Sequence, residues 1–220
     1  MVNEGSIKFN CLKKSGQTGI PDTLFLPLNK YRSKLFKAQL IGCYADGVGY
    51  GNISVRKSTF LLSRREGAGR KGYNQFYITA SGTGRLGILQ RKHISLVTSW
   101  SYEQNMVECT GEMDASAESL SHAAVYESDS EAGAVIHAHH KGMWDNYLGK
   151  FPTSSQGVLY GTPEMAKEIQ RIVTTMRAGE APIIIMGGHK EGILVWGRSL
   201  DDAVDTLWDI YQMFLTRKRN

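Results

Sequence analysis

SAESLSHAAVYESDSEAGAVIHAHH, residues 116–140, reads as a helix, a turn and a strand that ends in a cluster of histidines. From Ser116 to Ser128 the apolar residues Leu120, Ala123, Ala124 and Val125 fall at helical spacing, with Ser116 as a plausible N-cap. That places Glu118 in the first turn, where a carboxylate also suits the helix dipole. The short apolar run Ala134-Val135-Ile136 then leads into His137-Ala138-His139. Residues i and i+2 of a strand share a face, so the imidazoles of His137 and His139 point the same way. Two such imidazoles make half of a divalent-metal site, and zinc is the usual occupant. His140 falls on the opposite face and is not expected to be a ligand.

A third histidine, His189, follows a second apolar run, Ile183-Ile184-Ile185-Met186-Gly187-Gly188. Its two preceding glycines permit close backbone approach, and the strand-like Gly192-Ile193-Leu194-Val195-Trp196 comes next. A single histidine at a strand end is more often packed than ligating. The pair at 137 and 139, joined by His189 and by Glu118 as a carboxylate base, reads as a catalytic metal with an open position. His93 is expected at the surface and His122 in helix packing.

Working outward, residues 30–45 show helical spacing before Asp46-Gly47 and Gly49-Tyr50-Gly51 break it. Strands are expected at 52–56, 60–63, 75–79, about 94–100 and 105–109. The turn Ser81-Gly82-Thr83-Gly84 offers backbone N–H groups to an anion. A helix is expected over 140–149, and another from Pro163 to about Met176 with Thr162 as N-cap. Strands at 182–187 and 191–197 and a helix from Leu200 to Arg217 complete the order. The whole predicts an α/β layered domain with a mixed sheet, and the run of strands between 52 and 109 argues against a Rossmann fold.

The 220 residues fit one domain, 1–220, with residues 1–30 as an N-terminal extension. Net charge is +5, and the densest basic cluster, Arg64 to Lys71, is a glycine-rich loop. It reads as a solvated hairpin tip, with an anion-attracting rim as the functional alternative; no nucleic-acid module accompanies it. The Arg217-Lys218-Arg219 tail suits a helix C-terminus. Apolar runs are too short to span a bilayer, and Met1 to Gly5 lacks signal-peptide features. Cys11, Cys43 and Cys109 are odd in number and lack metal spacing. A reducing cytoplasm is therefore the expected setting.

These blocks together resemble the class II aldolase/adducin family, the group around fuculose-phosphate aldolase. The resemblance runs from about 31 to 215 through GNISVR (51–56), ITASGTG (78–84), the 116–140 block, GTPEMA (161–166) and GGHKEGILVWGRSLDDA (187–203). It implies a three-layer α/β/α domain with a mixed, largely antiparallel central sheet, commonly assembled as a homotetramer with sites near subunit interfaces. It implies that His137, His139 and His189 hold Zn2+ and that Glu118 is the acid/base. It also implies that Asn52, Ser81, Gly82 and Ser116 line a phosphate pocket. Three departures stand out. Lys190 and Glu191 separate His189 from Gly192, Ala117 replaces a frequent serine, and Gly157 stands where fuculose-phosphate aldolase has a proton-donating tyrosine. Tyr160 is nearby but is not assumed to substitute, and fuculose phosphate is not carried over as the substrate.

The function these features imply is a zinc-dependent lyase of carbohydrate metabolism. It would cleave or form a C–C bond in a small, hydroxylated, phosphorylated carbonyl compound through a metal-stabilised enediolate. Manganese or cobalt suits the same ligands. The alternatives are a sugar-phosphate 4-epimerase or dehydratase, and, in another class, an adducin-like interaction domain without catalysis. Tyr160, Trp144 and Tyr211 are candidates for lining the substrate site, with plain packing as the commoner role of such residues.

Overall fold

In the computed structural model, which describes residues 5–57 and 75–217, the strand bearing the paired histidines runs Ala134–His139 and is buried throughout. The elements in chain order are β1 (Asn10–Lys14), α1 (Asp22–Lys37), β2 (Gly42–Cys43), β3 (Gly49–Tyr50), β4 (Asn52–Arg56) and β5 (Phe76–Thr79). There follow β6 (Ile94–Ser101), β7 (Met106–Thr110), α2 (Ser119–Ser128), β8 (Ala134–His139) and α3 (Lys141–Tyr147). The last are α4 (Pro163–Thr175), β9 (Ile183–Ile185), β10 (Gly192–Gly197) and α5 (Leu200–Arg217).

Eight strands form one sheet in the order β1-β7-β6-β5-β4-β8-β10-β9, beside the small β2–β3 hairpin. Among the described residues β1–β7 is parallel and the other neighbours in the large sheet are antiparallel. Strand alternation divides the core in two. Ala134, Ile136 and Ala138 of β8, with Ile193 and Val195 of β10, pack under α1, α3 and α5. Val135, Leu194 and Trp196 pack on the other face under α2 and α4. The result is a three-layer α/β/α domain with a mixed sheet. α2 lies between the sheet and α4, and its residues from Ser119 to Tyr126 are all buried. α4 buries the stripe Met165, Ala166, Ile169 and Ile172, and Thr162 caps it by accepting from the Met165 N–H.

Several boundaries differ from expectation. α1 begins at Asp22 rather than at 30, because burial of Phe25 and Leu28 outweighs the backbone hydrogen bond lost at Pro27. It stops at Lys37, and Gln39 then adopts φ 58°, so Leu40 and Ile41 are buried outside the helix. The N-terminal extension contributes β1, an edge strand paired with β7. The expected strand at 60–63 and the basic cluster at 64–71 lie outside the described residues, as do Lys218 and Arg219 of the tail. Among the described residues no helix is long and apolar enough to cross a membrane.

Candidate functional site

The two paired histidines leave the sheet on the α2/α4 face, continuing the alternation set by Val135. Asn52, the first residue of β4, stands directly across the ladder from His137, and Gly192 opens β10 opposite His139. His189 arrives from the β9–β10 connection. There its N–H donates to the Met186 carbonyl (3.1 Å) and its carbonyl accepts from the Gly192 N–H (2.9 Å). The two preceding glycines have a steric reason. A Cβ on Gly187 would lie 2.1 Å from the Ser154 carbonyl oxygen, and one on Gly188 only 1.7 Å from that of Val158. Lys190 and Glu191 are thus accommodated in a tight connection that still delivers His189 to the other histidines.

The ring centroids of His137, His139 and His189 lie 4.7–4.9 Å from one another. One potential ligand atom from each lies within 4.8 Å of the others. All three are buried. Burial holds the imidazoles of His137 and His139 well below the usual histidine range; burial and the Lys8 charge bring His189 to about 3. They are therefore neutral at physiological pH, which is the form that ligates metals. His137 Nε2 is buried without a hydrogen-bond partner among the described residues, as expected of a nitrogen whose partner is a cation. The donor set fits a divalent ion, with nitrogen ligands that favour zinc and its neighbours.

Asn52 places its side-chain nitrogen 3.4 Å from His137 Nδ1, while its Oδ1 is buried without a hydrogen-bond partner among the described residues. Turning the carboxamide over lets Oδ1 accept from Nδ1–H, so that Nε2 of His137 keeps its lone pair, and places the Asn52 amide N–H groups where Oδ1 had been.

Glu118 is buried beside the histidines, with Oε1 3.7 Å from His189 Nδ1 and Oε2 accepting a 2.6 Å hydrogen bond from Ser121 Oγ. It occupies the N-cap position of α2 rather than the first turn, and it does not cap with its side chain. Ser116 is correspondingly not the N-cap. Its hydroxyl accepts from the Glu118 N–H (3.3 Å) and its carbonyl from the Ser119 N–H, which forms a turn ahead of the helix. The helix starts late because this turn uses the backbone groups that would have formed its first hydrogen bonds.

Asn52, Ser81, Gly82 and Ser116 converge with Glu118 and the histidines around a cavity of about 50 Å³. Gly82 (φ 74°) has open space where a Cβ would stand. The Ser81 N–H, expected to be available to an anion, instead donates to the Asp114 carbonyl (3.0 Å). The Ser81 backbone N–H is thus already committed within the protein.

Tyr160 lines the same cavity, stacked on the His189 ring at 4.3 Å, whereas Tyr211 packs on His140 and Trp208. Trp144 donates to the Met186 carbonyl (2.9 Å). His140 contacts Tyr211 and Phe214 of α5 on the opposite face, as the alternation requires. His122 is packing: its Nδ1 lies 2.7 Å from Ser54 Oγ, which also meets Tyr126 Oη. His93 Nδ1 accepts from the Gln90 N–H.

Four residues near the site escaped the sequence reading. Lys8 places its ammonium over the Tyr160 ring, and Arg32, buried in α1, donates to the Thr83 and Gly84 carbonyls (3.2 and 3.0 Å). Tyr44 Oη lies 2.9 Å from His139 Nδ1 and 3.0 Å from Glu191 Oε2. Of the four, Tyr44 stands beside the turn signal Asp46-Gly47 and Glu191 belongs to the two-residue insertion between His189 and Gly192, whereas Lys8 and Arg32 stand near no such feature.

Among curated proteins, none matches the chain significantly in sequence. Solved structures share its fold. L-fuculose-1-phosphate aldolase from Thermus thermophilus superposes with a TM-score of 0.60 at 20% identity, over 90% of this chain and 95% of that one. A sugar-phosphate aldolase from Thermotoga maritima gives 0.62 at 18% identity, over 87% and 92%. YgbL of Escherichia coli, a candidate aldolase/epimerase/decarboxylase, gives 0.61 at 17% identity, over 89% and 88%. Residues 44–215 match the sequence pattern of the family described as Class II Aldolase and Adducin N-terminal domain. With that match spanning most of its length, the chain belongs to the class II aldolase/adducin family.

Proposed function

We propose that this chain is a divalent-metal-dependent lyase of the aldolase type, acting on a small, hydroxylated and phosphorylated carbonyl compound. The observation that carries the reading is the convergence of three buried, neutral imidazoles with a buried carboxylate, Glu118 Oε1 lying 3.7 Å from His189. A pure interaction domain has no use for that arrangement. His137, His139 and His189 would hold the cation, Zn2+ in the first instance. Once bound, a cation supplies Lewis-acid polarisation of a substrate carbonyl.

The chain's own groups do the rest. Glu118 removes or returns the proton on the carbon next to that carbonyl; its Oε2 is held by Ser121, which leaves Oε1 turned toward His189. Asn52, Ser81, Gly82 and Ser116 take the phosphate end of the substrate and fix its distance from Glu118. Tyr160, stacked on His189, covers one side of the cavity. A cytoplasmic setting and a homotetramer belong to the same reading and rest on the family likeness.

The test is proton exchange. With zinc supplied, the protein should exchange the α-protons of dihydroxyacetone phosphate with D2O, as followed by NMR, and Glu118→Gln should keep its metal and lose the exchange by roughly 10²–10⁴-fold. Exchange by Glu118→Gln at the native rate would remove Glu118 from the mechanism. A metal-loaded native protein that exchanges no protons of this or related carbonyl donors would contradict the aldolase reading and favour the epimerase, dehydratase or adducin-like alternatives.

A further inference from the structure

We infer that Tyr44 and Glu191 form a relay that fixes the tautomer of His139 and thereby sets the strength with which the histidine cluster holds a metal. The inference rests on the reading of His137, His139 and His189 as ligands, and it adds two positioning residues to that site. Tyr44 lies in the turn between β2 and β3; Glu191 lies in the β9–β10 connection. Their meeting is long-range, since His139 and Glu191 stand 95 and 147 positions from Tyr44.

Proton bookkeeping decides the direction of the relay. Tyr44 Oη contacts Glu191 Oε2 at 3.0 Å and His139 Nδ1 at 2.9 Å. A carboxylate only accepts, so the single hydroxyl hydrogen of Tyr44 goes to Glu191. The Tyr44 oxygen then accepts, and His139 must carry its proton on Nδ1. Nε2 is left with the lone pair a metal needs. A ligating histidine whose other ring nitrogen is tied in this way loses less orientational freedom on binding and is the more basic ligand.

The backbone around Glu191 is consistent with a residue kept for its side chain. Glu191 has φ 71°, in the left-handed region that a residue with a Cβ adopts at a cost. Its carbonyl accepts the His140 N–H at 3.0 Å, which joins the connection to the end of β8 right beside His139. Tyr44 itself packs against Tyr50 (ring centroids 4.5 Å) and lies edge-on to the His139 ring (6.2 Å), which holds its ring beside His139.

The experiment compares native protein, Tyr44→Phe, Glu191→Ala and Glu191→Gln. One arm measures Zn2+ affinity by competition with a chromogenic chelator. The other records imidazole ¹⁵N shifts of His139 in the metal-free proteins. Tyr44→Phe and Glu191→Ala should bind Zn2+ roughly 10–100-fold more weakly. Glu191→Gln keeps an acceptor for the Tyr44 hydroxyl and should recover part of the loss. The ¹⁵N spectra should show His139 protonated on Nδ1 in the native protein and a mixture of tautomers in Tyr44→Phe, with unfolding midpoints confirming that each variant is folded. Native-like affinity and an unchanged tautomer in Tyr44→Phe or Glu191→Ala overturn the relay. A native protein that binds no Zn2+ overturns the metal reading instead, and the ¹⁵N arm still decides the tautomer.

Discussion

Gly188→Ala is the most informative small change in this chain. The added methyl carbon would lie 1.7 Å from the Val158 carbonyl oxygen and 2.6 Å from the carbon behind it. Both are backbone atoms, so no side chain can swing aside. Restoring an ordinary contact requires the 187–189 turn and the 154–158 segment to separate by on the order of 1.5–2 Å. Metal–nitrogen bonds tolerate only about 0.2 Å, so a displacement of that size takes His189 out of reach of a cation held by His137 and His139. Overpacking of this kind costs about 1–3 kcal/mol in addition. The expected result is a metal-free protein less stable by that amount in urea, with Zn2+ affinity reduced to that of His189→Ala. Gly157→Ala is the matched control, because its Cβ would meet nothing within 4 Å; it should leave both quantities native. Gly188→Ala with native stability and native Zn2+ affinity would refute the argument that close packing of these glycines positions His189.

Other outcomes follow from the same geometry. Arg32→Met removes the buried guanidinium that ties α1 to the Thr83 and Gly84 carbonyls and should cost about 1–3 kcal/mol by urea denaturation. Any phosphate or sulfate affinity measured by calorimetry should weaken with it, because the 81–84 turn lines the pocket. Acid should destabilise the metal-free protein: His122, His137, His139 and His189 all have pKa values depressed by burial. Unfolding then takes up protons below the unfolded value near 6.5, so stability is complete above that pH and falls below it. The slope reaches at most about 1.4 kcal/mol per pH unit per histidine, and His122→Gln should flatten the urea-midpoint profile between pH 6.5 and 5. Ser121→Ala, which removes the 2.6 Å bond to Glu118 Oε2, should leave Zn2+ content native and slow proton exchange less than Glu118→Gln does.

The residues that could be read in advance were those whose periodicity is enforced by two buried faces. β8 and β10 alternate between the two cores, so the placement of His137 and His139 together, with His140 opposite, followed from the period alone. β1 could not be read that way: NCLKK is an edge strand, exposed along most of its length, and edge strands have little apolar pattern to show. The start of α1 was hidden by Pro27, a local breaker overruled by tertiary burial. Glu118 and Ser116 were identified but the helix start was placed two residues too early, because side-chain bonds ahead of α2 compete with its first helical ones. Tyr44, Glu191, Lys8 and Arg32 act through contacts between distant segments, and one sequence carries no record of such pairings.

The central claim is that this chain binds a metal through His137, His139 and His189. Elemental analysis of protein purified without a histidine tag tests it directly, beside a His137→Ala/His139→Ala variant. The account predicts about one divalent metal per chain, zinc foremost, absent from the variant. A native protein that holds no metal even after incubation with zinc, or a variant that holds as much as the native protein, would contradict it.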